Sequence, residues 1–268
     1  ASCVQVPAGS WPSLLDFLCA QFPAIGRDTW QSRCERGLVL DAAGNALATT
    51  ANCRSGDRIH YFRELAHEPV IPFSETILHR DEHLLVADKP HFLPVIPSGR
   101  FVQQTLLVRL KQSTGIDTLS PIHRIDRDTA GLVMFSANPD TRDAYQALFR
   151  SRAVKKTYHA IAPLLQGYQW PLQYRSRLVE DEKFFRSREV PGDANSETLI
   201  RVLQEKGNMA LYELQPVTGR KHQLRVNMAS LGAAIANDRL YPLVQDSGDG
   251  DFSKPLQLLA HSLAFTDP

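Results

Sequence analysis

The chain holds 268 residues, 43% hydrophobic and 22% charged, with 30 lysines and arginines against 29 acids for a formal net charge of +1. That apolar content suffices for a packed core and excludes global disorder, and the length fits one large domain or a medium one with a small companion. The near-neutral balance excludes a strongly basic nucleic-acid coat, so any RNA contact must come from a local stripe of positive side chains. No apolar run approaches the ~18 residues of a membrane helix, and the sequence opens without a basic-then-apolar leader, so a soluble cytoplasmic protein with no membrane contact is expected.

Leu14, Leu15, Leu18 and Phe22 recur at helical spacing behind Ser10 and Ser13, and Pro23 ends the run. A second helix is predicted from Asp28, as N-cap, to Arg36, with Gly37 as its stop. Residues 38–40, the turn residues Gly44 and Asn45, and residues 59–62 behind Gly56 and Asp57 read as short strands. These elements define a small helix–helix–sheet domain over residues 10–64. Pro69 and Pro72 mark residues 65–75 as a linker, and the remaining residues, 76–268, form the larger domain. Cys3, Cys19, Cys34 and Cys53 contain no C-x-x-C pair, which argues against structural zinc and for idle thiols.

In the larger domain, residues 77–79 and 84–87 read as strands, 101–110 as a helix and 132–135 as a buried strand. Residues 137–150 read as a helix started by Pro139, and residues 157–161 as a further strand. Residues 198–203 and 209–214 flank Lys206, Gly207 and Asn208 as a hairpin. From Arg220 on, Leu224, Met228 and Leu231 keep helical spacing up to Gly232, although Leu224, Val226 and Met228 also alternate as a strand would. Paired strands with intervening helices give an α+β fold around a mixed sheet. The acidic stretch 246–251 lacks the ligand spacing of a calcium loop and reads as plain loop.

The densest polar cluster is H-R-I-D-R-D-T-A-G at residues 123–131. Guanidinium groups within ~4–6 Å hold a carboxylate ionised and available as base or nucleophile. The residues alone leave Asp126 and Asp128 equal, and a surface ion-pair loop is the plainer alternative. Two segments accompany the cluster: K-K-T-Y-H-A at 155–160 and T-G-R-K-H-Q-L-R-V-N at 218–227. The second supplies three cations and no acid beside a glycine, which suits an anion such as phosphate. His79 to His83 fit the H-x-x-E-H pattern of some zinc peptidases, but that pattern requires a helix where a strand is predicted, so no metal is expected. His123, Arg124 and a nearby aspartate lack the glycine-rich loop that a kinase reading needs.

Taken together, the three segments resemble the RluA-type pseudouridine synthases, whose signatures are H-R-L-D-x-x-T-S-G, K-x-Y-x-A and T-G-R-T-H-Q-I-R-V-H. The likeness runs over about residues 76–265, through Asp81 to Pro90 and on to Asn237, Asp238, Arg239, Leu240 and Tyr241. It implies a largely antiparallel sheet with flanking helices and a central cleft. It also implies a catalytic trio of Asp126, Tyr158 and Arg225: the reacting aspartate, a tyrosine that lies against the target base and helps move its C5 proton, and the aspartate's arginine partner. Arg124 matches the arginine that helps fill the space left by the flipped nucleotide, and Arg127, Lys155, Lys156, Arg220 and Lys221 become candidate phosphate contacts. Residues 12–62 resemble the small RNA-binding domain of the fourth small-subunit ribosomal protein, which implies that Arg27, Arg33 and Arg36 face RNA phosphates. Departures from the family pattern are Ala130 for Ser, Lys221 for Thr, Asn227 for His, Asn237 for Gly, and His91-Phe92 interrupting K-P-A-G-L.

The implied activity is conversion of uridine to pseudouridine in ribosomal or transfer RNA, by a monomer that needs no cofactor and no metal, since nothing is oxidised and no group comes from outside. The competing expectation is an RNA-binding protein that keeps the fold without turnover. Members of the family run somewhat beyond the position of Pro268, so further residues are expected there.

Overall fold

The computed structural model describes residues 2–65, 68–182, 185–245 and 251–268. They divide into two compact units, Ala1–Ala66 and His67–Pro268.

The smaller unit runs β1 (Ser2–Gln5), α1 (Leu14–Gln21), α2 (Arg27–Glu35), β2 (Val39–Leu40) and β3 (Arg58–Tyr61), with the strands ordered β1-β3-β2. The Ser13 hydroxyl caps α1 by accepting from the Asp16 backbone N–H at 3.2 Å. Leu14, Phe17 and Leu18 of that helix pack on Trp30, Val39, Ile59 and Tyr61. Gly26 rather than Asp28 is the N-cap of α2; Asp28 lies inside the first turn, where its charge complements the helix dipole. Gly37 ends the helix with φ +67°, as its position predicts. Arg33 corrects the expectation of a row of phosphate-facing arginines. It is 4% exposed, with its guanidinium 4.9 Å from the centre of the Trp30 ring, so it belongs to the core. Arg27 and Arg36 do lie on the surface, paired with Asp16 at 2.8 Å and Glu64 at 2.5 Å.

The larger unit is built on β4 (Thr76–Arg80), β5 (Leu84–Lys89), β6 (Ser120–Pro121), β7 (Ala130–Ser136), β8 (Lys155–Pro163), β9 (Leu172–Glu180), β10 (Ser187–Val190), β11 (Ser196–Lys206), β12 (Met209–Pro216) and β13 (Leu258–Ala264). Among the described residues these ten strands form one sheet, ordered β10-β9-β11-β12-β8-β13-β7-β5-β4, with β6 alongside β7. Every pairing is antiparallel except β13 with β7. The last strand of the chain therefore enters between β7 and β8 and joins the early half of the sheet to the late half.

Among the described residues three helices flank the sheet: α3 (Leu106–Thr114), α4 (Arg142–Arg150) and α5 (Gln223–Ser230). The helix expected over 101–110 starts later because Phe101 pairs back with Ser98 and Thr105 supplies the N-cap. Pro139 does not start α4; residues 138–141 form a turn in which the Asn138 side chain accepts from the Asp140 N–H at 2.9 Å. The ambiguous stretch after Arg220 is helical. The segment expected as linker is fastened along part of its length to the larger unit: the Glu68 carboxylate accepts from the backbone N–H groups of Val102, Gln103 and Gln104, and Ile71 is buried. His79 to His83 span the β4–β5 hairpin, so the zinc pattern has no helix under it. Of the acidic stretch 246–251, residues 246–250 lie outside the described residues.

At the β7–β13 seam, Gly131 has φ +107°, and a β-carbon there would overlap the Ala260 carbonyl oxygen and come within 2.8 Å of the Ala260 nitrogen. Both the backbone angle and the close approach require glycine. Gly131→Ala should destabilise the larger unit by about 1–3 kcal/mol. Urea unfolding with unchanged midpoint would contradict this account.

Candidate active site

The sheet's two halves bring three segments to one cleft of about 380 Å³, within the range of small-molecule sites. Asp126 comes from the loop between β6 and β7, Tyr158 from β8, and Arg225 from the first turn of α5. All three line the cleft.

Arg225 is the anchor. Its side chain is 2% exposed, and it donates through Nε and Nη2 to both oxygens of Asp238, at 2.8 and 2.7 Å. Its remaining nitrogen, Nη1, donates to Asp126 Oδ2 at 3.0 Å. Burial opposes the charge of Arg225, but the hydrogen bonds to Asp238 and the charge of Asp126 outweigh it and hold the guanidinium protonated more firmly than usual. Asp238 is itself fixed by the backbone N–H groups of Leu240 and Tyr241, at 2.8 and 3.1 Å. Asp126 remains 28% exposed, so the arginine holds one oxygen while the carboxylate still reaches the cleft.

His222 stands on the other side of Asp126, its Nε2 3.8 Å from Oδ1, and its Nδ1 lies 3.0 Å from the Tyr241 hydroxyl. Burial, only partly offset by Asp126, keeps its imidazole below the ordinary pKa. Burial first, and then the charge of Asp126, push the Tyr158 phenol well above its ordinary range, so it is a neutral hydrogen-bond donor. His123 forms part of the wall: burial, then Lys156, push it down to about 4, the Met134 N–H donates to its Nε2 at 3.2 Å, and its ring stacks on Phe149.

Of the remaining sequence-derived candidates, Arg124, Lys156 and Arg220 line this cleft. Arg127 turns aside to Asp128, at 3.0 Å, and lies over the Phe101 ring. Lys155 is exposed on β8, and neither it nor Lys221 lines the cleft. Arg150 and Arg152 do line it and were not singled out from sequence. The signal was present in R-S-R-A-V-K-K at 150–156, a run of four cations without an acid. Asp238 was likewise missed as a site residue, because an aspartate 13 positions from its arginine has no local pattern.

The loop carrying Asp126 is tied down by a fully buried lysine. Lys89 donates from Nζ to the carbonyls of Pro90, at 2.9 Å, and Arg127, at 3.0 Å. Burial, despite the charges of Asp128 and Asp126, pushes its pKa down to about 7 from 10.5. Between those values the unfolded chain binds the extra proton, so Lys89 makes stability rise with pH from about 7 to about 10. The stability difference between wild type and Lys89→Met should therefore shift in favour of wild type by more than ~1 kcal/mol between pH 7 and 9. Urea unfolding of both proteins at the two pH values measures it, and a pH-independent difference would contradict the burial argument.

A family model described as RNA pseudouridylate synthase matches residues 83–230, more than half of the chain. The chain is 29% identical over 231 residues to an uncharacterized RNA pseudouridine synthase of Synechocystis, covering 85% of this chain and 79% of that one. It is 28% identical over 232 residues to the mitochondrial tRNA pseudouridine(32) synthase of Saccharomyces cerevisiae, again covering 85% of this chain but only 50% of the yeast protein. Among solved structures, human RNA pseudouridylate synthase domain containing 4 superposes with a TM-score of 0.55 at 29% identity, covering 70% of this chain and 83% of that one.

Proposed function

This chain belongs to the RNA pseudouridylate synthase family, and from that premise we propose that it isomerises uridine to pseudouridine in folded RNA, in the cleft around Asp126. The observation that carries this reading is the partly exposed Asp126 carboxylate, braced by the buried Arg225 in a cleft that Tyr158 also lines. Isomerisation breaks the bond from N1 to C1′ and forms one from C5 to C1′, while the C5 proton is lost and N1 gains one. Asp126 supplies the negative oxygen that assists departure of the base, and Arg225 holds it in one orientation. The neutral state of the Tyr158 phenol supports a role as donor and packing surface against the base rather than as a phenolate.

A stacked uridine has to be flipped out, at a cost of a few kcal/mol that phosphate contacts must offset. Lys156 and Arg220, at the cleft, are assigned to those contacts, with Arg127, Lys155 and Lys221 outside it as further candidates. Arg124 lines the cleft with no side-chain hydrogen bond or ion pair among the described residues, which supports its entering the gap the nucleotide leaves. The small unit is read as an RNA-binding module like that of the fourth small-subunit ribosomal protein. Its two helices followed by β2 and β3, to which β1 adds a third strand from before the helices, and the surface positions of Arg27 and Arg36, support that reading. Ribosomal and transfer RNA are the substrate classes proposed.

RNA tritiated at uridine C5 should release its label with wild type, whereas Asp126→Ala should fall by at least about 10³-fold while still binding RNA. Equal release from both proteins would reject Asp126 as the catalytic group. No release from either, with binding intact, would favour an RNA-binding protein.

A further inference from the structure

We propose that a second cleft beside the first takes the sugar-phosphate of the RNA nucleotide adjoining the target uridine, and that Arg152 grips the phosphate between the two nucleotides. The proposal rests on the isomerase reading above for the identity of its ligand. The second cleft has a volume of about 290 Å³ and is lined by Arg152, Arg175, Asn195, Ser196, Glu197 and Arg220, among others. Arg152, Thr218 and Arg220 also line the first cleft, so the two spaces share a wall with two arginines in it.

Arg152 differs from Arg175 and Arg220, the other cations of the second cleft, in having no side-chain partner. It occupies the left-handed position of the cap that ends α4, φ +61°, where the Arg152 and Ala153 N–H groups return to the Phe149 and Leu148 carbonyls at 3.3 and 2.8 Å, so its backbone is fixed by the helix end. Its guanidinium makes no hydrogen bond or ion pair among the described residues, although its charge reaches both clefts: it adds to burial in lowering the pKa of Lys156 at the first, and, behind the hydrogen bond from Gln173 and the charge and hydrogen bond of Arg175, to the lowering of Glu197 at the second.

The rest of the second cleft is already engaged. Glu197 accepts from Gln173 at 2.6 Å and from Arg175 at 3.1 Å, so its charge is compensated and does not oppose an anion. Arg220 donates from Nε to the Asn195 carbonyl at 3.2 Å, and its side chain makes no other hydrogen bond among the described residues. The lining holds guanidinium, amide and hydroxyl groups, the Arg175-paired Glu197 carboxylate and, among the described residues, no aromatic ring on which a base could stack. That inventory suits ribose and phosphate, a contact that positions the strand without reading its sequence. A uridine held in the first cleft is part of a polymer, and a neighbour that crosses the shared wall meets Arg152 there as a cation without a side-chain partner among the described residues.

The test uses full-length protein and an RNA hairpin whose only uridine lies in the loop. Arg152→Gly should keep or raise Tm, because glycine is at ease at this backbone angle. It should weaken RNA binding roughly tenfold and reduce the dependence of log K on log salt by about one. In wild type, an uncharged methylphosphonate at one linkage beside the uridine should weaken binding by a similar factor; in Arg152→Gly the same replacement should change nothing further. Unaltered binding by Arg152→Gly, or equal sensitivity of both proteins to methylphosphonates at every linkage flanking the uridine, would overturn the proposal. Tritium release on the same hairpin reports separately on the isomerase reading. Coupling without release defeats that reading and leaves the subsite, and release without coupling does the reverse.

Discussion

A guanidinium buried between two carboxylates is the constraint on which the cleft depends. Six consecutive residues of α5, from Gln223 to Met228, are buried, so the helix has no wet face on which to place its polar side chains. Each of those must then find a partner inside. Gln223 bonds Thr218 and Thr198, Asn227 bonds Thr198 and Ser176, and Arg225 bonds Asp238 and Asp126. Only the last of these partners reaches out of the core. Removing one member of such a buried charge group strands the others at about 3–5 kcal/mol, so the orientation of Asp126 is set by interior energetics rather than by its own loop. Asp238, which does not itself line the cleft, acts on Asp126 through Arg225 and is a positioning residue in that sense.

This arrangement works only because the sheet is assembled out of chain order. Asp126 precedes β7, whereas Tyr158 and Arg225 belong to the later half, and β13 is the strand that fixes one half against the other. The seam is close enough that Gly131 admits no side chain. Asn237, where the resembled family has glycine, shows the same logic in milder form. Its φ is +62°, a region that asparagine tolerates better than most residues, and its Nδ2 donates to the Pro255 carbonyl at 3.0 Å. That departure therefore preserves the bend that delivers Asp238 to Arg225.

What could be read from sequence was what local patterns encode. Strand alternation in 198–203 and 209–214, the apolar stretch at 132–135 and the helical spacing after Gln223 all correspond to real elements, as does Gly37 as a stop. The strands β9, β10 and β13 were not foreseen. They contain alternating charged or small residues whose partners lie far along the chain, and only tertiary pairing makes them strands. The early starts expected for α3 and α4 failed for a related reason: Thr105 and the turn at Asn138 outcompete apolar spacing and Pro139 as boundary signals. Arg33 was misjudged because a cation at a helical position looks solvated until Trp30 is seen to lie beneath it. Asp126 and Asp128 could not be told apart by charge density alone. The fold separates them, since Asp126 meets Arg225 while Asp128 is taken by Arg127.

The same segregation explains how a chain of net charge +1 can present a cationic cleft. Many acids are spent on pairing surface arginines: Asp16 with Arg27, Glu64 with Arg36, Glu213 with Arg201, Glu197 with Arg175. Exposed pairs of this kind add little stability, but they cancel field at the places where they sit. The cleft is treated differently. Arg124, Arg152, Lys156 and Arg220 line it with Asp126 as the one carboxylate among its lining residues, and Asp126 already faces Arg225. At physiological salt, charges are felt over only about 8 Å, so a polyanion approaching the protein responds to this uncompensated patch and not to the total. Attraction for RNA is thus concentrated at the one place where a flipped nucleotide would meet the carboxylate.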